Sequence, residues 1–131
     1  MVFIALPALQ KGQRDAQRKQ DLQRISVQMT SYLTNTKSGA PADEDRLGSF
    51  VRGFLDGSDS TTAGDDYKDP NGNNYVVRYE VAPAAEGQIG YFPRSECDVD
   101  AENGVKPSDA ARDYAFTVVL ENQNAPYCIN N

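Results

Sequence analysis

The fold of this chain is decided by residues 2–37, VFIALPALQKGQRDAQRKQDLQRISVQMTSYLTNTK. Residues 2–9 are almost wholly apolar, and residues 10–21 hold no large hydrophobic side chain. Apolar residues then return with a spacing of three and four, at Leu22, Ile25, Met29, Tyr32 and Leu33. This spacing predicts a long helix with one apolar stripe, so that only its last turns pack on the chain's own domain. The first half of the helix is then left to be buried by another molecule.

A small head of helix-then-sheet order is predicted after residue 37. Gly39 and Pro41 end the long helix, because glycine caps a helix C-terminus and proline cannot continue it. Residues 43–55 predict a second, short helix, because apolar residues recur on one face and acids occupy its first turn. Period-two alternation and turn signals predict three strands, at about residues 75–81, 88–92 and 114–121. We expect the first two strands to be antiparallel, residues 97–107 to form a polar excursion, and residues 122–131 to be an irregular tail.

The predicted fold class is therefore α+β, with a long N-terminal helix packed on a small antiparallel β-sheet. We call residues 1–37 the stem and residues 38–131 the head. The expected core is Leu22, Ile25, Met29, Leu33, Phe50, Phe54, Val77, Tyr79, Ile89, Phe116 and Val118.

Several motifs of the chain, taken in order, resemble a bacterial type IV pilin. Ala5-Leu6-Pro7-Ala8-Leu9 followed by Gln13-Arg14-Asp15-Ala16-Gln17-Arg18-Lys19-Gln20-Asp21-Leu22 is similar to the pilin helix, in particular that of small-genome candidate-phylum bacteria. Asp69-Pro70-Asn71-Gly72-Asn73-Asn74-Tyr75 resembles the turn before the first pilin strand. Tyr114-Ala115-Phe116-Thr117-Val118-Val119-Leu120-Glu121 and Tyr127-Cys128-Ile129-Asn130-Asn131 resemble the family's last strand and cysteine-bearing tail. The match is poorest over residues 40–66.

The resemblance implies a structural subunit of a type IV pilus, with the type IV pilin fold. Such a subunit polymerises through its N-terminal helix, here Phe3, Ile4, Leu6, Pro7 and Leu9, into an extracellular surface fibre for adhesion, twitching motility or both. Its partners are other copies of itself, the pilus assembly machinery, a host or partner cell surface, and the inner membrane before assembly. The loop bounded by the two cysteines is displayed on the fibre surface in that family.

Two other functions share these sequence features. A type II secretion pseudopilin has the same assembly logic and a short periplasmic fibre. A monomeric extracellular binding module, tethered to the membrane by its N-terminal helix, would keep the apolar stem in lipid.

The start of the chain departs from the pilin pattern. No basic leader, cleavage site or early glutamate is present, and the apolar opening is shorter than the ~20 residues that cross a bilayer. We therefore expect the membrane-inserting half of the helix to have been truncated. A signal-peptide core is the alternative for residues 2–9, but neither a basic segment nor a small-residue cleavage site accompanies it.

The chain has two cysteines, Cys97 and Cys128, and no histidine. Under a hundred residues remain for the head, and small heads commonly need a covalent staple. The pair favours a disulfide formed in an oxidising compartment over a metal site, which would require more ligands. Two free buried thiols in a cytosolic protein are the alternative.

Charge is divided between the two parts of the chain. The stem carries six basic and two acidic side chains and the head 7 basic and 17 acidic ones, within a total net charge of −6. A basic stem could pair with the acidic head of a neighbouring subunit, whereas the alternative is an ordinary solvated helix and soluble surface. The acidic head disfavours general electrostatic binding of nucleic acid, and we expect no sequence-specific nucleic-acid partner.

Catalytic motifs are lacking in the sequence. Without histidine the commonest general acid–base group is missing, and no serine sits in a nucleophile motif. We therefore expect no enzymatic activity and no cofactor. Calcium is the one small ligand to consider, at Asp98, Asp100 and Glu102, but the glycine falls one place later than in an EF-hand loop. Residues 56–66 form a second oxygen-rich stretch, and a solvated acidic loop is the favoured interpretation of both.

Overall fold

The computed structural model describes residues 7–35, 39–57, 59–70, 72–98, 100–101, 104–110, 112–121 and 127–130, with side chains from residue 11 onward. Two helices come first, α1 (Pro7–Asn35) and α2 (Glu44–Phe54). Six strands follow: β1 (Val76–Tyr79), β2 (Gln88–Pro93), β3 (Ser95–Cys97), β4 (Val105–Pro107), β5 (Tyr114–Val118) and β6 (Tyr127–Asn130). A helix packed on a small sheet confirms the predicted α+β class.

Helix α1 is unbroken over its 29 residues, which correspond to a length of about 43 Å. The rest of the predicted helix 2–37, and with it any bend before Pro7, lies outside the described residues. The predicted apolar stripe is confirmed, because each of its members is buried: Leu22, Ile25, Met29, Tyr32 and Leu33.

Helix α2 agrees with the predicted segment 43–55 to within one residue at each end. Asp43 is its N-cap, and the carboxylate accepts a hydrogen bond of 2.8 Å from the Arg46 backbone amide. Phe50 meets Tyr32 of α1 edge-on, with ring centroids 5.8 Å apart. The link between the helices is fixed from the sheet side, since Tyr91 donates its hydroxyl to the Pro41 carbonyl at 2.7 Å. The two helices therefore cover the same face of the sheet.

The main sheet has four strands in the order β1-β2-β5-β6. β1 and β2 are parallel, so the prediction of an antiparallel pair was wrong. After Tyr79 the chain leaves β1 at Glu80, whose φ is 55°. A Cβ at Gly90 would lie 2.6 Å from the Val81 carbonyl oxygen, so the returning chain passes over β2 at this glycine. That close crossing lets a short connection bring β2 back in the same direction as β1.

The C-terminal part of the chain holds three strands that the sequence pattern did not predict. β3 and β4 form a two-stranded antiparallel sheet within the predicted polar excursion. β6 pairs antiparallel with β5, where an irregular tail was expected. β5 itself ends at Val118 rather than at the predicted residue 121.

The core lies between the two helices and one face of the main sheet. All the predicted core residues are buried except Phe54 and Tyr79, which are partly buried and pack against it. Successive strand residues point to opposite faces. A second, small cluster on the other face contains Phe92, Val105 and Ala115, with Cys128 packed against it.

Candidate functional site

The predicted assembly residues lie at the N-terminal end of α1. Phe3, Ile4 and Leu6 fall outside the described residues, and Pro7 and Leu9 are helical but their side chains are not described. The first three residues with described side chains, at positions 11–13, are exposed. Among the side chains described, Arg14 is the first that α1 brings against the head.

Helix α1 docks on the head through charged side chains before its apolar stripe begins. Asp15, Arg18 and Asp21 are only 6 %, 2 % and 2 % exposed. The expectation that only the last turns pack on the head was therefore wrong. Its premise was that a segment without large hydrophobic residues stays in water. Buried charges are nevertheless stable where partners of opposite charge satisfy them.

Arg18 is at the centre of these contacts. Its Nε and Nη2 atoms donate to the two carboxylate oxygens of Asp69, at 2.6 and 2.9 Å. Its Nη1 atom donates to Glu121 at 2.7 Å and to Asp15 at 3.1 Å. A guanidinium presents its donors in a planar fork that matches this bidentate geometry, whereas a lysine could not hold all three carboxylates in the same way.

Arg14 makes a second bidentate pair with Glu121. The Nε and Nη2 atoms donate to the carboxylate at 2.6 and 2.9 Å. The backbone amide of Glu121 donates to the Asp15 carboxylate at 2.8 Å. We call Arg14, Asp15, Arg18, Asp69 and Glu121 the junction network. It joins one face of α1 to two separate head segments, the turn before β1 and the end of the segment after β5.

The junction network favours the charged forms of Arg18 and Glu121. Hydrogen bonds from Arg14 are the largest cause that lowers the pKa of Glu121, to about 2, and burial opposes them. Hydrogen bonding to Asp69 is the main reason why the pKa of Arg18 is raised above its ordinary value. Both shifts favour the ion pairs at neutral pH.

A second polar contact extends the docking towards the apolar stripe. Tyr75, at the base of β1, donates its hydroxyl to Asp21 at 2.8 Å. Gln17 donates its side-chain amide to the other oxygen of the same carboxylate at 2.9 Å. Burial, followed by the hydrogen bond to Asp21, raises the pKa of the Tyr75 hydroxyl. The Tyr75 hydroxyl therefore remains a neutral hydrogen-bond donor.

The remaining basic side chains near the junction lie over aromatic rings. The Lys19 ammonium is 5.1 Å from the ring centroid of Tyr127 in β6, and the Arg24 guanidinium is 4.9 Å from that of Tyr67. Arg14 and Arg18 are paired within the chain. The stem therefore has fewer unpaired basic side chains available for the predicted attraction to a neighbouring acidic head than the sequence suggested.

The predicted disulfide between Cys97 and Cys128 is confirmed, with the Cα atoms 5.8 Å apart. It joins β3 to β6 and so ties the β3–β4 sheet to the edge of the main sheet. The Cys97 backbone amide also donates to the Asn130 side chain at 3.1 Å. The hairpin from β3 to β4 is consequently fixed at the end of β3 that leads into its loop.

Two of the three predicted calcium ligands can be located. The Asp98 carboxylate accepts the backbone amide of Asp100 at 2.9 Å, and the Asp98 amide donates to the Gly104 carbonyl at 2.9 Å. Glu102 lies outside the described residues. In the second oxygen-rich stretch, the Asp59 carboxylate accepts the amides of Thr61 and Thr62, which lower its pKa. In the part of the chain that the structure describes, no group of three or more His, Cys, Asp or Glu residues could hold a metal ion.

The junction network is the feature that sequence reasoning missed. The two partners of Arg18 in the head are Asp69 and Glu121, which are 51 and 103 residues away in sequence. One available signal was the run of residues 14–21, in which charges at positions 15, 18 and 21 recur at three-residue spacing while large hydrophobic residues are absent. That pattern is equally typical of a solvated helix face, so the head partners could not be deduced from it.

No helix among the described residues is long and apolar enough to cross a membrane. Comparison of the chain with protein-family models, with curated proteins and with solved structures found no match.

Proposed function

We propose that this chain is a structural subunit of a type IV pilus, which polymerises through its N-terminal helix into a surface fibre for adhesion, twitching motility or both. The observation that carries the proposal is the course of α1. The helix is continuous from Pro7 to Asn35, and among its described side chains Arg14 is the first that contacts the head. The apolar residues 2–9 comprise the five residues before the helix and its first three positions.

The free energy gained by burying the apolar residues 2–9 favours their contact with another molecule. Burying a large apolar side chain is worth roughly 1.5–3 kcal/mol, and Phe3, Ile4, Leu6 and Leu9 lie within seven consecutive positions. Leaving such a cluster in water is disfavoured, whereas a polymer buries it against the same helices of neighbouring subunits. The junction network complements this arrangement, because it holds the head at a fixed place on the helix without using the apolar end.

The test is the substitution Leu6→Asp in the producing strain, with filaments counted per cell by electron microscopy. We expect surface fibres to be lost while the purified chain keeps its melting temperature, because residue 6 precedes every described contact with the head. Ala82→Asp, at an exposed position of the head, is the matched control for an added negative charge and should leave both quantities unchanged. Normal fibres from the Leu6→Asp strain, with no second pilin present, would contradict polymerisation and favour the tethered monomer.

A further inference from the structure

An open groove of about 270 Å³ lies between α2 and β1, away from the junction network and the disulfide. Glu44 and Leu47 of α2 form one wall, and Val77, Arg78, Tyr79 and Val81 form the other. Ser60 and Thr61 close one end. The groove therefore runs beside β1, which is an edge strand of the main sheet.

Within the described ranges, backbone hydrogen bonds cover the edge of β1 over its first half only. The Val77 amide donates to the Thr61 carbonyl at 2.7 Å, and the Ala63 amide donates to the Tyr75 carbonyl at 2.8 Å. The covering chain then turns away, because the Asp59 carboxylate accepts the Thr61 amide that would otherwise face β1. Ser60 passes so close to α2 that a Cβ at Gly48 would lie 2.8 Å from its own.

The backbone amide of Tyr79 lies in the second half of that edge. The amide of Val76 donates to the Gly87 carbonyl just before β2, and the amide of Glu80 donates to the Tyr91 carbonyl in β2. Backbone amides alternate in direction along a strand, so the amide of Tyr79, next to Glu80, points outward, to the groove side. No hydrogen bond joins this amide to any residue within the described ranges. A strand edge of this kind is a template for pairing with another extended chain.

Apolar side chains accompany this backbone edge. Leu47 and Val77 are buried at the bottom of the groove, while Val81 is 44 % exposed at its rim. The Tyr79 hydroxyl donates to the Ala42 carbonyl at 2.8 Å, which fixes its ring against the link before α2. Extended peptides that pair with a sheet edge gain specificity from pockets that accept alternate side chains.

The carboxylates near the groove indicate which kind of segment it can bind. Burial raises the pKa of the Tyr79 hydroxyl, and the carboxylates of Glu80, Asp43 and Glu44 raise it further, so all three act on this end of the groove. Arg46 pairs with Asp43 at 3.7 Å, but neither Glu44 nor Glu80 has a salt-bridge partner among the described residues. Arg78, a cation, also lines the groove, but with Arg46 bound to Asp43 the carboxylates of Glu44 and Glu80 still outnumber it. A second copy of the head, which is acidic, is disfavoured here, and a basic segment is favoured.

We propose that this groove binds an extended basic segment of a partner protein, which adds as a short strand beside Tyr79 and inserts an apolar side chain between Leu47 and Val81. The backbone of the segment pairs with the open half of the β1 edge, and its lysine or arginine side chains face Glu44 and Glu80. The proposal does not depend on pilus assembly, since it concerns the isolated chain in solution.

The probe is a fluorescein-labelled, end-blocked peptide, Lys-Val-Lys-Val-Lys, titrated with the full chain and followed by fluorescence anisotropy. Two further peptides carry N-methyl groups on the backbone, one at both valines and the other at the lysines. Because alternate amides of a strand point to the same edge, one N-methylated peptide should bind about fivefold more weakly and the other should change less than about twofold. Replacing the lysines by glutamates should abolish binding.

Two protein variants locate the site. Glu44→Lys should weaken binding about threefold or more, and the effect should shrink at high salt. Asp45→Lys adds the same charge in the same helical turn, outside the residues that line the groove, and should have the smaller effect. In amide NMR spectra the Tyr79 signal should shift and its hydrogen exchange should slow on binding.

Three results would overturn the proposal. The first is equal weakening by both N-methylated peptides together with equal effects of the two lysine variants, which would indicate general charge attraction. The second is binding of the peptide without a change at the Tyr79 amide. The third is dimerisation of the chain through this groove, in which case a second copy is the occupant.

Discussion

Arg18 lies where α1 meets the head, with its side chain 1 % exposed and its guanidinium bonded to three carboxylates. Removing one partner of a buried ion pair costs about 3–5 kcal/mol, because the opposite charge stays buried without its compensation. We therefore expect Arg18→Met to lower the free energy of unfolding by that amount, measured by urea denaturation at pH 7. Methionine keeps much of the aliphatic volume, so the loss reports mainly on the charge.

Arg46→Met is the matched control. Arg46 pairs with Asp43 at 3.7 Å, with both side chains half exposed, and such pairs are worth about 0–1 kcal/mol. A loss of less than about 1 kcal/mol in Arg18→Met as well would show that the junction network does not hold the helix on the head.

The ion pairs of Glu121 make the contribution of the junction network to stability depend on pH. Its pKa in the folded chain is about 2, below its ordinary value of 4.5. Because the folded pKa is the lower one, its contribution to stability is complete above about pH 4.5 and is lost as the pH falls towards 2. Glu121→Gln should therefore be less stable than the parent chain at pH 7, and the difference should shrink steadily between pH 5 and pH 2.

Unfolding free energies at several pH values in this range would test the effect. Glu96→Gln is the comparison, since Glu96 has an exposed pair with Lys106 at 3.4 Å and no contact with the junction network. A difference between the parent chain and Glu121→Gln that stays constant from pH 7 to pH 3 would contradict the ion-pair explanation.

At the scale of elements, the disulfide is the main constraint on the β3–β4 sheet. It closes a loop with a sequence separation of 31, for which the chain-entropy estimate is about 3–4 kcal/mol of stability. We expect reductant, or the double substitution Cys97→Ser and Cys128→Ser, to lower the melting temperature of the chain clearly. Reductant should not change the double variant further, which controls for effects other than the bond. An unchanged melting temperature in both cases would show that the small cluster around Phe92 holds this sheet without the bond.

The elements also show where sequence reasoning reaches its limit. Helices α1 and α2 and strands β1, β2 and β5 were predicted because their apolar periodicity is set locally by backbone geometry. β3 and β4 have only three residues each, too few for an alternating pattern to stand out. β6 has four residues, as β1 does, but β1 lies within a longer alternating stretch, residues 75–81, and β6 does not. The parallel pairing of β1 with β2 depends on the passage of Val81 over Gly90, which is a tertiary contact. The burial of Arg18 likewise depends on Asp69 and Glu121, which no local pattern connects to it.

At the scale of the whole molecule, the candidate assembly and display regions belong to different parts of the chain. The N-terminal residues of α1 come before the junction network, whereas the β3–β4 hairpin is fixed through Cys128 to β6, an edge strand of the main sheet. Arg14 and Lys19 tie Glu121 and Tyr127 to the same helix. The last segment of the chain is thus held against the stem at two points, and a change in the exposed hairpin should not reach the apolar end.

This separation predicts that attachment and assembly can be altered independently. Lys106→Glu changes an exposed side chain of β4, whose pair with Glu96 is half exposed on both sides, and such a pair contributes about 0–1 kcal/mol. If the hairpin is the displayed surface of a fibre, the substitution should leave filaments per cell and the melting temperature unchanged while altering the number of cells attached to a surface or partner cell. Ala82→Asp, at an exposed position outside the hairpin, should leave all three quantities unchanged. Loss of filaments in Lys106→Glu would instead place the hairpin in contacts that assembly requires, either between subunits or with the assembly machinery, because a surface change that costs little stability can stop assembly only where such a contact forms.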